Sequence, residues 1–192
     1  MKDILLNENE IKEICQRVGK EISEKLKNED RIPLLVGVMK GSLNFMIELM
    51  KYIEVPFYTD YIQISSYYGT QRSNIIRLLK DVSYDCTNRS VVIVEDIVDT
   101  GHSMNFLIDH IKRHQAKNVY VCTLIDKKVA REVEVPIDFT GFTLDRNRFL
   151  IGFGLDYSEL ERNLPYIYEA DEEDVARLKK VLDKDGDKYV EQ

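Results

Sequence analysis

Two stretches of this chain, IPLLVGV (32–38) and SVVIVED (90–96), share one grammar. Each is a continuous apolar run of strand length that gives way to a small polar turn, MKGS (39–42) in the first case and DTGHS (99–103) in the second. Apolar positions then return at helical spacing, at Leu43, Met46, Ile47 and Met50 and again at Met104, Leu107, Ile108 and Ile111. A strand with no polar alternation has to be covered on both faces, and strand, turn and helix in repeated order is how a parallel sheet acquires helices on both sides. NVYVCTLID (118–126) continues the series. The pattern predicts an α/β fold with a doubly wound parallel sheet flanked by helices.

Other segments fit around that sheet. Ile11, Ile14, Cys15, Val18, Ile22 and Leu26 follow NENE at helical spacing and predict an opening amphipathic helix. FYTDYIQIS (57–65) and NIIRLLKDV (74–82) read as two strands joined by the polar, glycine-containing loop SYYGTQRS (66–73), hence a protruding hairpin. PIDFTGFTL, RFLIGFGLD and PYIYEA read as short strands, and DEEDVARLKKVL as a helix opened by acids and closed by lysines, in the order a helix dipole favours. No repeat or long linker divides the chain, so residues 1–192 are expected to form one domain.

With 44% apolar residues, a net charge of -7 and a pI near 5.1, the chain can build a core but is a poor match for a protein living on nucleic-acid backbone. No run reaches a membrane span, and MKDILLNENE does not resemble a secretory signal. Cys15, Cys86 and Cys122 are widely spaced without a metal-type pair. They read as reduced core thiols of a cytoplasmic protein. His102, His110 and His114 fall in one predicted helix, with only the last two four residues apart and no known metal motif beside them, and read as solvated surface residues.

The chemistry concentrates in EDIVDTGHS (95–103). Three carboxylates gather at the lip of a buried strand, where mutual repulsion and desolvation are unfavourable unless cations or donors offset them. Ligands of open parallel sheets bind beyond the carboxyl ends of strands, where the next helix offers free backbone N–H groups to an anion. Thr100 and Ser103 add hydroxyls and Gly101 permits close backbone approach, which suits a phosphate monoester, while Glu95 and Asp96 suit sugar hydroxyls or Mg2+. The residues alone leave open an ordinary turn with solvated acids. A receiver-type acidic pocket would carry its acidic pair near the chain start and a lone aspartate at a later strand end, and this chain has neither.

VVIVEDIVDTGHSM resembles the 5-phosphoribosyl 1-pyrophosphate signature of type I phosphoribosyltransferases, and the motifs around it resemble the hypoxanthine-guanine branch of that family, in order: MKGS its pyrophosphate loop, SSYYG its mobile active-site loop, LIDKKV its purine-reading strand end and RFLIGFGLDYSELERNLPYI its base-clamping segment. The resemblance implies Mg2+-dependent transfer of phosphoribose from 5-phosphoribosyl 1-pyrophosphate to hypoxanthine or guanine, a lid hairpin, a small base-binding hood made by the chain ends, and assembly as a homodimer or homotetramer without nucleic acid or membrane. It implies that Glu95, Asp96, Asp99, Thr100, Gly101, His102 and Ser103 bind the ribose phosphate, with Asp99 catalytic. Lys40, Gly41 and Arg162 would bind pyrophosphate, with an unusual cis peptide from Met39 to Lys40. Lys127, Phe149, Leu150 and Asp156 would bind the purine, Glu95, Asp96 and Asp156 the metal, and Ser66 and Tyr67 would belong to the lid. His102 stands where many relatives have Lys, Arg or Asn. Two rivals remain: a phosphoribosyltransferase for another base, and an RNA-binding regulator on the same fold, like the pyrimidine-operon attenuator, which would need a basic face.

Overall fold

The structure is a computed structural model that describes residues 2–68 and 74–185. Its elements are β1 (Asp3–Leu6), α1 (Glu8–Leu26), β2 (Leu34–Met39), α2 (Leu43–Met50), β3 (Tyr58–Tyr68), β4 (Asn74–Lys80), β5 (Ser90–Val98), α3 (His102–Arg113), β6 (Asn118–Asp126), a 3-10 turn (Lys128–Ala130), β7 (Phe139–Thr143), β8 (Leu150–Ile151), β9 (Ile167–Glu169) and α4 (Glu172–Asp185). The main sheet has the order β4-β3-β2-β5-β6-β7. All neighbours in it are parallel except β4, which returns antiparallel along β3 at the edge. The parallel sheet expected from the apolar runs is present, and the hairpin continues it at one edge with the antiparallel β4, which makes the six-stranded sheet mixed.

Period-two alternation decides which side chains face which helices. Along β5, Val92 and Val94 join Leu35, Cys122 and Leu124 against Ile11, Cys15, Val18 and Ile22 of α1 and Phe45, Met46 and Leu49 of α2. Val91 and Ile93 point the other way, with Leu34, Val36 and Val121, onto Met104, Leu107, Ile108 and Ile111 of α3. Each such side chain contributes about 1.5–3 kcal/mol on full burial, and a slip of one residue would exchange the two faces of the strand. The register that places the site is thereby fixed by the core. Asn7 starts α1 with a capping box, its Oδ1 accepting from the N–H groups of Asn9 (2.9 Å) and Glu10 (3.1 Å) while the Glu10 carboxylate accepts from the Asn7 N–H (2.8 Å).

The chain ends build a second, three-stranded antiparallel sheet, β1-β9-β8, the expected hood. Leu6, Leu150, Leu155 and Ile167 anchor it in the main core, and Leu178 of α4 packs on Ile151 and Tyr168. Strand β1 was not expected, since its four residues run straight into the capping motif. RFLIGFGLD yields only the two-residue β8, because Gly152, Phe153 and Gly154 all take positive φ (108°, 49° and 105°) and turn the chain back.

Ser42 is of the type that caps helices and directly precedes α2, but its backbone is already helical and its buried hydroxyl has no hydrogen-bond partner among the described residues. All three cysteines are free and buried, and burial raises each thiol, that of Cys15 to about 12. The histidines correct another expectation. His110 is largely buried and both it and His114 meet Asp81, an acid delivered from the end of the hairpin.

Candidate active site

Strands β2 and β5 pair in parallel from Leu34↔Val91 to Gly37↔Val94, so the turns that follow them emerge side by side. The first contains the cis Met39–Lys40 peptide. Its Gly41 lies against the Asp96 carboxylate so closely that an added Cβ would stand 2.1 Å from Oδ2, so any other residue would displace that acid. A third segment meets them from the hood: the Gly154 Cα lies against the Gly41 carbonyl, and the Asn44 side chain donates to the Arg162 carbonyl (2.6 Å). Pieces of chain about a hundred residues apart thus converge on one sheet edge.

Glu95, Asp99, Thr100, Gly101 and Ser103 line a concavity of about 260 Å3 at the start of α3. Gly101 turns the chain with φ 94°, and a Cβ there would stand 2.6 Å from the Val133 carbonyl oxygen. No side chain caps α3, so its first-turn N–H groups face the loop, the arrangement that binds anions. The His102 ring turns to Glu132 (2.9 Å) and is not among the residues lining the concavity. Arg131 holds the loop from behind, donating to the carbonyls of Asp99 (3.0 Å) and Val98 (3.2 Å) and to Asp126 Oδ1 (2.6 Å). The Thr100 carbonyl accepts from the N–H groups of Glu132 (2.9 Å) and Val133 (3.2 Å). Nothing in the residue order marks Arg131 for this role, because the carbonyls it holds belong to residues 32 and 33 positions upstream.

The acids differ in kind. Burial raises the proton affinity of Glu95, and the neighbouring charge of Asp96 raises it further. Asp96 is also raised, again chiefly by burial, although the Ile97 N–H (2.9 Å) and Arg162 work in the opposite direction. Asp99 has Oδ2 3.4 Å from Lys127 Nζ, while its Oδ1 is buried and accepts no hydrogen bond among the described residues. Lys127 itself is buried, at 8% exposure. The Asp99 side chain is 48% exposed and borders the concavity, while the buried Lys127 ammonium stands behind its other oxygen. For a divalent cation, Glu95 and Asp96 are hard oxygen donors whose mutual repulsion a bound ion would relieve, so they fit Mg2+. Asp156, also expected at the metal, has Oδ1 engaged by Arg162 (2.9 Å) and Oδ2 by the Glu159 N–H (2.6 Å).

The expected pyrophosphate residues come together around an acid that was not foreseen. Lys40 Nζ lies 3.2 Å from Glu159 Oε2, and Arg162 Nε reaches the same carboxylate oxygen at 3.2 Å while its Nη1 donates to the Gly154 carbonyl (2.6 Å). Ser158, Glu159 and Glu161 all adopt left-handed φ (48°, 70° and 66°), which no residue-type signal in SELE announces. Phe149 is 48% exposed and meets Tyr157 edge to face at 6.1 Å, while the Leu150 side chain is buried in the core and its backbone pairs with Glu169. The hairpin carries Ser66 and Tyr67 on β3, opposite Ile76 and Ile75, but their side chains, and the loop tip 69–73, lie outside the described residues.

Residues 2–158 match the family described as phosphoribosyl transferase domain. The hypoxanthine-guanine phosphoribosyltransferase of Streptococcus pneumoniae is 41% identical over 168 residues, 87% of this chain and 92% of the relative. The bifunctional protein TilS/HprT of Listeria monocytogenes is 39% identical over 87% of this chain, which spans only 26% of that longer protein. Among solved structures, the hypoxanthine phosphoribosyl transferase of Trypanosoma cruzi superposes with a TM-score of 0.87 at 30% identity, over 93% of this chain and 95% of that one.

Proposed function

The chain belongs to the phosphoribosyl transferase family, and on that premise we propose that it transfers phosphoribose from 5-phosphoribosyl 1-pyrophosphate to hypoxanthine or guanine, forming the nucleotide and releasing pyrophosphate. The loop 99–103 at the start of α3 holds the 5-phosphate through N–H groups and the Thr100 and Ser103 hydroxyls. Glu95 and Asp96 hold the ribose hydroxyls and Mg2+, which when bound supplies charge neutralisation to the leaving pyrophosphate. Lys40 and Arg162 receive that pyrophosphate in place of the Glu159 carboxylate that they meet in this structure.

As the bond to pyrophosphate lengthens, positive charge grows on the ribose, and the carboxylates at the end of β5 stabilise it. The Asp99 carboxylate, whose side chain is 48% exposed, takes the proton from the base nitrogen that bonds to the ribose. Lys127 donates to the exocyclic oxygen of a 6-oxopurine and has nothing to offer an exocyclic amine. Phe149 and Tyr157 cover the base from the hood, and Asp156 borders it. The β3–β4 hairpin, with Ser66 and Tyr67, closes over the reaction and excludes water that would trap the electron-poor ribose. The observation that carries this reading is the half-exposed Asp99 carboxylate lining the same concavity as the anion loop, with the buried Lys127 ammonium 3.4 Å from its Oδ2.

The test is a panel of hypoxanthine, guanine, xanthine, adenine and pyrimidine bases incubated with the sugar donor and Mg2+, with the nucleotide products identified. Conversion of hypoxanthine or guanine at the highest kcat/KM is expected. Salt-dependent RNA binding with no purine turnover would replace this reading with the regulator. We further propose a single-domain, cytoplasmic enzyme acting as a homodimer or homotetramer. Three buried free thiols support a reducing compartment, and the exposed Leu43 and Ile47, one turn apart on α2, support an apolar subunit contact. Among the described residues no helix is long and apolar enough to cross a membrane.

A further inference from the structure

Away from the concavity, three side chains form a cluster that the reaction does not use. His110 and His114 lie one turn apart on α3, and Asp81 comes to them directly after β4. His110 Nε2 is 2.8 Å from Asp81 Oδ1, His114 Nε2 is 3.4 Å from Asp81 Oδ2, and the two Nε2 atoms are 3.3 Å apart. We propose that Asp81, His110 and His114 form a binding site for a first-row transition cation such as Zn2+, separate from the Mg2+ site of the carboxylates.

The spacing of the three atoms supports this. A tetrahedral ion with ligands at about 2.0–2.1 Å sets neighbouring ligand atoms about 3.3–3.4 Å apart. The two imidazole nitrogens stand at that separation (3.3 Å), and each faces its own oxygen of the Asp81 carboxylate, Oδ1 at 2.8 Å from His110 and Oδ2 at 3.4 Å from His114, so a small rotation of the carboxylate presents one oxygen to an ion held by both rings. The two Nε2 atoms and the carboxylate converge on one point, so a cation there is reached by one donor atom from each of the three residues. The ligand set of two imidazoles and one carboxylate suits Zn2+, Co2+ or Ni2+ and does not suit Mg2+, which prefers oxygen.

The ligands are also held in place. The Val82 N–H donates to Asp81 Oδ1 (2.7 Å), and Phe106 stacks on the His110 ring at 6.0 Å and 10°. His110 is 15% exposed while His114 and Asp81 are 38% and 37% exposed, so the site is backed by protein and open on one side, with room for water as a fourth ligand. His110 lies seven residues, roughly 10 Å along the helix axis, from Ser103 of the anion loop, so an ion here would not touch the sugar donor.

The test is Zn2+ titration of the chelator-treated full chain in excess Mg2+, by equilibrium dialysis, with Co2+ as a spectroscopic probe. One Zn2+ per chain is expected, together with a visible Co2+ absorption of the intensity that tetrahedral nitrogen coordination gives. In His114→Ala, whose side chain is half-exposed and outside the core, the Zn2+ affinity should fall at least about 10-fold and the cobalt band should vanish, with purine transfer in Mg2+ unchanged. Asp81→Asn should weaken Zn2+ in the same direction. Wild-type protein that binds no Zn2+ under these conditions, or that binds it as tightly as His114→Ala does, overturns the proposal.

Discussion

Two groups of carboxylates in this molecule are displaced from the ordinary acid range in opposite directions. At the end of β5, burial and mutual charge raise Glu95, and burial raises Asp96. In the hood, burial would raise Glu161 too, but the donors around it win and hold it at about 2. Those donors are Arg177 (2.9 Å), the Tyr168 hydroxyl (2.6 Å) and Lys2 (3.1 Å), and they tie α4, β9 and the N-terminal segment to one carboxylate. Glu161 is a fastening, saturated by its own chain. Glu95 and Asp96 keep raised proton affinities even though they accept from the N–H groups of Asp96 (3.2 Å) and Ile97 (2.9 Å), so on the proposed reading they weaken the fold until a cation offsets their charge.

The sharpest way to break this comparison is through Asp99, the half-exposed site acid beside the anion loop. Asp99→Asn preserves shape while removing charge and proton acceptor, and kcat for purine transfer should fall roughly 10-fold to 10^4-fold with sugar-donor affinity and melting temperature retained. Lys127→Ala should come next. Discrimination against adenine, as the ratio of kcat/KM values under saturating donor, should erode by about 10-fold to 10^3-fold, because a buried donor that demands an oxygen is lost. Equal base-to-base ratios in both proteins would remove Lys127 from base reading.

Glu161→Gln should lower stability by about 1–2 kcal/mol at neutral pH, the smaller end for charge-assisted bonds because Arg177 and Lys2 are partly solvated. The sign against pH follows from the depressed value. The Glu161 contribution is fully present above about pH 4.5 and is lost as pH falls towards about 2, so denaturation curves of wild type and variant should converge in acid. The smallest effect is at the pyrophosphate end. Glu159→Gln removes the carboxylate that meets Lys40 and Arg162, and the KM for the sugar donor should drop a few-fold, read by initial rates. An unchanged or raised KM would mean that Glu159 positions those cations rather than competing for them.

The same contrast explains what could be read from the amino acids. The β5 turn was legible because its carboxylates, hydroxyls and glycine are contiguous and sit at the end of an apolar run whose burial is dictated by its pattern. The main sheet was legible for the same reason. Strand β1, the turn at Gly152–Gly154 and the left-handed residues around Glu159 were not, because short segments take their conformation from long-range partners. Arg131 and Asp81 show the limit most clearly. One holds backbone carbonyls more than thirty residues upstream, and the other meets histidines 29 and 33 residues downstream, so neither contact is signalled by neighbouring residues. Ser42 shows the converse, a residue of the right type at the right place whose helical backbone denies it the capping role.

The central claim is that the β5 carboxylates are present for chemistry at the expense of stability, and thermal melts of metal-free Glu95→Gln and Glu161→Gln at pH 7 test it most directly. A buried acid with raised proton affinity costs stability as pH rises above about 4.5, since the unfolded chain ionises it freely, and glutamine removes that cost. Glu95→Gln should therefore melt at or above the wild-type temperature and lose purine transfer, whereas Glu161→Gln should melt about 2–6 °C lower and retain transfer while folded. A melting temperature for Glu95→Gln as low as that of Glu161→Gln, or full transfer activity in Glu95→Gln, would contradict the account.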